Sequence, residues 1–203
     1  YLNSEDPLFQ KIADRYDIRF HLRPKELGSS DARSDDVCEE MMRSHQGDIL
    51  VWLNPIAPLQ PVEDVRDVIR HFIDQKLDTL ITVSSEQVHC VIGDGKAVNF
   101  SYDEKFAKTQ DLEPVQLFVY SIMMWRYKSF LAQYREKGYA QLSGKVGYYP
   151  ICKESSIIIK RENDLRLAEL ILQTRENQKF QLNYDHLLDK IILKNSGDCI
   201  KNK

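Results

Sequence analysis

Apolar positions in this chain change period as the sequence advances, and each change marks an element. The segment 48–53, with an apolar run from Ile49 to Leu53, reads as a strand, and 80–83, apolar but for Thr82, reads as a strand of the kind covered on both faces in a parallel sheet. Between them Val62, Val65, Val68, Ile69, Phe72 and Ile73 recur at spacings of three and four behind Pro61, the pattern of a helix with one buried face. Upstream, Asp6-Pro7 opens a helix over 6–16, with Asp as cap, Pro in the first turn and Phe9, Ile12 and Ala13 as the apolar stripe. A short strand over 17–21 follows. Ser34-Asp35-Asp36 then starts a helix that turns Val37, Cys38, Met41 and Met42 inward and ends at Gly47.

Beyond residue 86 the pattern changes. Segments 87–92 and 96–100 flank Gly93-Asp94-Gly95, which predicts a hairpin inserted on the main sheet. Residues 125–137 read as a helix, 145–149 and 156–159 as strands, and 164–174 as a helix carrying Leu165, Leu167, Ala168, Leu170, Ile171 and Leu172. After Leu193 a polar tail is expected to fray. Helices and strands alternating in this way predict an α/β layered domain.

Composition changes this picture little. The 203 residues carry 28 basic and 31 acidic side chains, interspersed, for a net charge of -3, so no electrostatic feature points to nucleic acid or a membrane surface as partner. No apolar run approaches the length of a bilayer span and no secretory leader pattern opens the chain, from which a cytoplasmic location is expected. Cys38, Cys90, Cys152 and Cys199 stand singly and read as reduced thiols, while His21, His45, His71, His89 and His186 are dispersed without zinc-ligand spacing.

Four segments carry a resemblance: Leu22-Arg23-Pro24-Lys25-Glu26-Leu27, then Leu53-Asn54-Pro55-Ile56-Ala57-Pro58-Leu59, then Gly144-Lys145-Val146-Gly147-Tyr148-Tyr149, then Ser156-Ile157-Ile158-Ile159 leading to Asp164-Leu165 and Ala168-Glu169. In that order they resemble the acylneuraminate cytidylyltransferases, which couple sialic acids and related 3-deoxy-2-ulosonic acids to CMP from CTP and release pyrophosphate. The resemblance implies a three-layer, Rossmann-like nucleotidyltransferase fold with a mostly parallel central sheet. It implies a cytidylyltransferase-like domain over 1–175, with a hairpin and dimerisation insertion at about 86–143 and a carboxyl-terminal extension over 176–203. Its partners would be CTP and a sugar acid, within a homodimer whose interface draws on Phe118, Tyr120, Trp125, Tyr127, Phe130 and Tyr134.

Carried over by position, Arg23, Ala32 and Ser34 fall where the family contacts the nucleotide, and Asn54 and Lys160 fall on the substrate side. The cofactor implied by an active member is Mg²⁺, a hard cation that needs oxygen ligands. Where the family places two aspartates on one strand face, this chain has Ile158 and Lys160, so no catalytic residue and no metal ligand is assigned. No glycine- and lysine-rich phosphate loop is seen, and because Tyr1-Leu2-Asn3-Ser4 is similar to the end of the family's second strand, a fragment with that loop out of view is expected. A catalytically silent member that binds a nucleotide or sugar, or serves as a structural partner in glycan biosynthesis, is the alternative. Taken without the resemblance, Asn54-Pro55 is a strand-ending turn, Arg23 and Glu26 a solvated surface pair, Lys160 an exposed strand end, and Met123-Met124-Trp125 core or subunit interface.

Overall fold

The computed structural model describes residues 1–177. Apart from the last two positions of the final helix, the expected extension over 176–203, with its tail after Leu193, lies outside the described residues. The chain divides into two units, Tyr1–Lys160 and one that opens at Arg161.

The first unit runs β1 (Leu2–Ser4), α1 (Gln10–Arg15), β2 (Phe20–Leu22), α2 (Ser34–Ser44), β3 (Ile49–Leu53), α3 (Val62–Asp74), β4 (Thr79–Glu86), β5 (Val91–Ile92), β6 (Lys96–Ala97), β7 (Val115–Arg126), α4 (Tyr127–Lys137) and β8 (Val146–Pro150). Its central sheet has the order β3-β7-β4-β8. Here β3, β4 and β8 point one way and β7 runs against them, so the sheet is mostly parallel with one reversed strand inside it. β1 and β2 form a separate parallel pair joined through α1, and β5 and β6 make the small hairpin.

Alternation along the strands sorts the core into two layers, because successive side chains leave opposite faces of a sheet. Leu50 and Trp52 of β3 join Ile81, Met123 and Trp125 on the face covered by Cys38 and Met42 of α2 and Phe130 of α4. Ile49 and Val51 join Leu80, Ile122 and Met124 on the face covered by Val68 and Phe72 of α3. Helices thus lie on both faces of the sheet, the three-layer α/β arrangement expected from the sequence.

β7 is where the sequence pattern misleads most. Residues 125 and 126 belong to this strand, pairing with Thr79 and Ile49 respectively, and the helix starts only at Tyr127. The register between β4 and β7 jumps from Ile81↔Met123 to Val83↔Phe118, and Tyr120 in the resulting bulge is left-handed at φ 61°. Thr82 repairs the interrupted ladder. Its hydroxyl donates to the Ile122 carbonyl and accepts from the Ile122 amide, each at 3.0 Å.

Other boundaries shift for local reasons. The expected helix over 6–16 is a 3₁₀ turn, Pro7–Phe9, capped by the Asp6 carboxylate on the Leu8 amide, followed by α1. Asp17 is left-handed at φ 51°, so a turn occupies the start of the expected strand and pairing begins at Phe20. α2 ends at Ser44, before Gly47. Met41 is only half-buried, and Val62 and Ile73 at the two ends of α3 are exposed. The expected strand over 156–159 does not form: Ser156 and Ile157 donate their amides back to Cys152 and Glu154 in turns, and Ile159 donates to Ile56 rather than to a sheet. Without a neighbouring strand edge, apolar residues alone do not make a strand.

The second unit, over its described residues, is the helix α5 (Glu162–Asn177). Asp164 reaches back to the Arg161 amide at 2.8 Å and supports its first turn, and Arg166 pairs with Glu162 one turn earlier. It extends the expected helix by two to three residues at each end.

Candidate functional site

A cavity of about 390 Å³ opens beside β3. β1 supplies Leu2 and Asn3, α2 supplies Val37, Cys38 and Met41, β3 supplies Leu50, Val51, Trp52 and Leu53, and Arg23, Asn54 and Pro55 stand just past the carboxyl ends of β2 and β3. A mouth at the carboxyl ends of strands is where open α/β sheets receive ligands.

Arg23 is held there from two directions. Its amide donates to the Ser4 carbonyl at 2.9 Å, and its guanidinium donates to the Glu5 carboxylate. Hydrogen bonding from the Glu5 main chain first, and from Arg23 second, holds the Glu5 carboxyl below its usual range. Gly28 makes this pairing possible, since a Cβ there would lie 2.3 Å from Glu5 Cγ. Arg23 pairs with Glu5 rather than with the nearby Glu26. Its Nε, buried and without a hydrogen-bond partner, remains as a donor. With its charge matched by Glu5, Arg23 offers directed hydrogen bonds to a base or sugar oxygen more than an unmatched charge to a polyphosphate.

Asn54 caps the turn that ends β3. Its Oδ1 accepts from the Ile56 amide at 3.3 Å and its carbonyl accepts from Ala57, an Asx turn that leaves the amide nitrogen for other contacts. The β7 bulge fixes this turn from behind. Ser121 accepts the Asn54 amide on its carbonyl at 2.9 Å and donates its hydroxyl to Gln60, and Gln60 donates to Asp64 of α3. Buried Ser155 donates to the same Asp64 carboxylate at 3.1 Å, so the loop after β8 is tied into the same network.

The structure therefore brings Arg23 and Asn54 onto one cavity. Lys160 is exposed, but its segment reaches the Asn54 turn through the hydrogen bond from Ile159 to Ile56, 2.9 Å long. Ala32 and Ser34 stand on the loop before α2 and at its first residue and do not line the cavity. Asn3 and Glu5 were missed by sequence reasoning: Asn3 sits within a three-residue strand, and Glu5 meets Arg23 across 18 positions, so neither leaves a local signal.

The donor set does not fit a divalent cation. No carboxylate lines the cavity, Glu5 is engaged by Arg23, and among the described residues no group of three or more His, Cys, Asp or Glu side chains is placed to hold a metal. Ile158 is half-buried and offers no oxygen. Among the described residues no helix is long and apolar enough to cross a membrane.

No protein-family model matches the sequence, and no curated protein matches it. Solved structures do match. CMP:2-keto-3-deoxy-manno-octonic acid synthetase complexed with CTP aligns with a TM-score of 0.55 and 13% identity over 84% of this chain and 79% of its own. The 4-diphosphocytidyl-2C-methyl-D-erythritol synthase of Anaerococcus prevotii aligns with a TM-score of 0.53 and 14% identity over 83% and 77%. Likeness at these identities establishes a shared fold: the chain has the Rossmann-like α/β fold of these two enzymes.

Proposed function

We propose that this protein binds a cytidine nucleotide at the mouth formed by Arg23 and Asn54, and that it is a cytidylyltransferase joining CMP from CTP to a sialic-acid-like 3-deoxy-2-ulosonic acid. The observation that carries the reading is the meeting of Arg23 and Asn54 on one cavity at the carboxyl ends of β2 and β3, in a fold shared with a synthetase whose structure holds CTP. Arg23 donates from Nε to the nucleotide, with Ala32 and Ser34 on the adjoining loop. Asn54 and Lys160 face the sugar acid, whose carboxylate suits the lysine cation. The transfer attaches the sugar's anomeric oxygen to the α-phosphorus and releases pyrophosphate. Of the aromatic residues expected at the interface, Trp125 and Phe130 are buried in the core, and exposed Phe118 and Tyr120, with Leu117 and Tyr148, supply the apolar surface of a homodimer.

A second reading, binding without turnover, is favoured by one observation: the site offers no oxygen cluster for the Mg²⁺ that phosphoryl transfer ordinarily uses. Pyrophosphate release from CTP, measured against a panel of sialic and ulosonic acids with and without Mg²⁺, separates the two. Turnover with one acid of the panel establishes the transferase. CTP binding without pyrophosphate from any acid establishes the silent binder, and absence of CTP binding refutes both.

A further inference from the structure

Two loops meet beside the mouth of the site, and each carries one of the residues placed on the sugar-acid side. Residues 54–61 carry Asn54, and residues 151–160, after β8, carry Lys160. These loops are joined at two places. At the first, the Ile56 amide donates to Asn54 Oδ1 at 3.3 Å while the Ile56 carbonyl accepts from the Ile159 amide at 2.9 Å, so one residue stands between the Asn54 side chain and the neighbour of Lys160. At the second, a single carboxylate oxygen links the loops: Asp64 Oδ2 accepts from Gln60 Nε2 at 2.7 Å and from the Ser155 hydroxyl at 3.1 Å.

The hydrogens of this cluster have one consistent arrangement. A carboxylate only accepts, so the Ser155 hydroxyl gives its hydrogen to Asp64, and its oxygen takes the thiol hydrogen of Cys152 at 3.0 Å. The Ser155 amide donates back to Cys152 Sγ at 3.4 Å, which ties the following turn to the same point. Ser155 is fully buried. Asp64 stands in the first turn of α3, a helix seated on the sheet through Val68 and Phe72, and this gives the carboxylate a fixed position. A segment held at one point pivots about it, and a second attachment removes that freedom.

We infer, on the reading of Asn54 and Lys160 as the acid side of the site, that Asp64 is a positioning residue for that side: it clasps the loop after β8 to the Asn54 turn and so holds the Asn54 amide and the Lys160 cation as a preformed pair for the sugar acid. It acts through Gln60 and Ser155 rather than by touching the acid. Fixing the two loops beforehand spares the ordering that binding would otherwise have to impose. The effect is confined to the acid side, because Arg23 is anchored by Ser4 and Glu5, outside this cluster. Both donors converge on one oxygen, so an amide oxygen can replace Oδ2 and a methyl group cannot.

Amide hydrogen exchange, and calorimetric titration of N-acetylneuraminate and of 2-keto-3-deoxy-manno-octonate in the presence of CTP, test this on the unmodified protein, Asp64→Ala, Asp64→Asn and Ser155→Ala. Without ligand, both alanine variants are expected to speed exchange of the Ile159 amide about tenfold or more while the β4 amides keep their protection. Acid affinity is expected to fall about tenfold in both, CTP affinity to stay within about twofold, and Asp64→Asn to keep the slow exchange and the acid affinity within about threefold. Three results overturn the proposal: unchanged exchange at Ile159 in both alanine variants, unchanged acid affinity despite faster exchange, or equal losses of CTP and acid affinity, the mark of a purely structural residue. Binding of neither acid by the unmodified protein overturns the acid side of the site and the proposal with it. The exchange arm contains no ligand, so that failure is distinct from absence of the clasp.

Discussion

Gly28→Ala isolates the contact that aims Arg23. A methyl at that position would stand 2.3 Å from Glu5 Cγ and 2.4 Å from Cδ, and Cγ is too near the root of the side chain to escape by a change at its tip. Glu5 must take another rotamer, and its carboxylate leaves Arg23. A hydrogen bond to a charged group contributes about 1.5–3 kcal/mol, and the 34% exposure of the Glu5 side chain moves this toward or below the lower figure through solvent screening. Replacing glycine by alanine returns about 0.4–1 kcal/mol through the unfolded chain. The net loss is about 1 kcal/mol, which in a chain of this size lowers Tm by about 2–4 °C. Thermal and urea unfolding measure it, together with Glu5→Ala and the double variant. Because Glu5→Ala removes the atoms that clash, the double variant is expected to be no less stable than Glu5→Ala alone. Additive losses would refute the reasoning. The pH dependence has a fixed sign: the folded Glu5 carboxyl lies below its ordinary 4.5, so the pair stabilises above that pH and its contribution is lost as pH falls through the lower folded value. The difference between Gly28→Ala and the unmodified protein therefore shrinks in acid.

Thr82→Val keeps volume but removes the hydroxyl that serves both main-chain groups of Ile122 in the bulge, and leaving those groups unpaired in the core is expected to cost about 2 kcal/mol by urea unfolding. Asp78→Asn weakens the anchor that accepts from the Lys145 amide and the Ser129 hydroxyl beside left-handed Gly144. These bonds, the Lys145 amide first, hold the Asp78 carboxyl below 3.8, so the loss in Tm is expected at neutral pH and should vanish as pH falls below that value. His45 accepts or donates to His21 at 2.9 Å, and burial first, then the His21 charge, depress its pKa below 6.5. Proton NMR is expected to show His45 titrating below a model histidine. Stability then falls as pH drops through 6.5, because the unfolded chain takes up the proton first.

The fold was legible where burial is symmetric. The run within 48–53 carries no polar residue beyond Asp48 at its start, and 80–83 carries only Thr82, because both faces of β3 and β4 meet helices, and that condition is written in the residues themselves. β7 was not legible as a strand. Its outer half carries exposed Leu117, Phe118 and Tyr120, its inner half is buried, and the left-handed Tyr120 between them breaks the alternation that would have announced it. The segment 156–159 failed the opposite way, since Ile157, Ile158 and Ile159 have strand composition but the main chain there is engaged in turns and by the Ile56 carbonyl. At the candidate site, Arg23 and Asn54 were singled out by the resemblance their segments carry, and both line the cavity. Glu5, Asn3 and Ser121 act through contacts distant in sequence, and the bulge that aims the Ser121 carbonyl at Asn54 exists only once β4 and β7 are paired.

Calorimetric titration of CTP and of ATP into the protein and into Arg23→Gln tests the central claim most directly. The account predicts saturable CTP binding at least about tenfold tighter than ATP, weakened about tenfold or more by Arg23→Gln as a hydrogen bond from a charged donor is lost. Equal affinity for the two nucleotides with no effect of Arg23→Gln, or no binding of either, would contradict it.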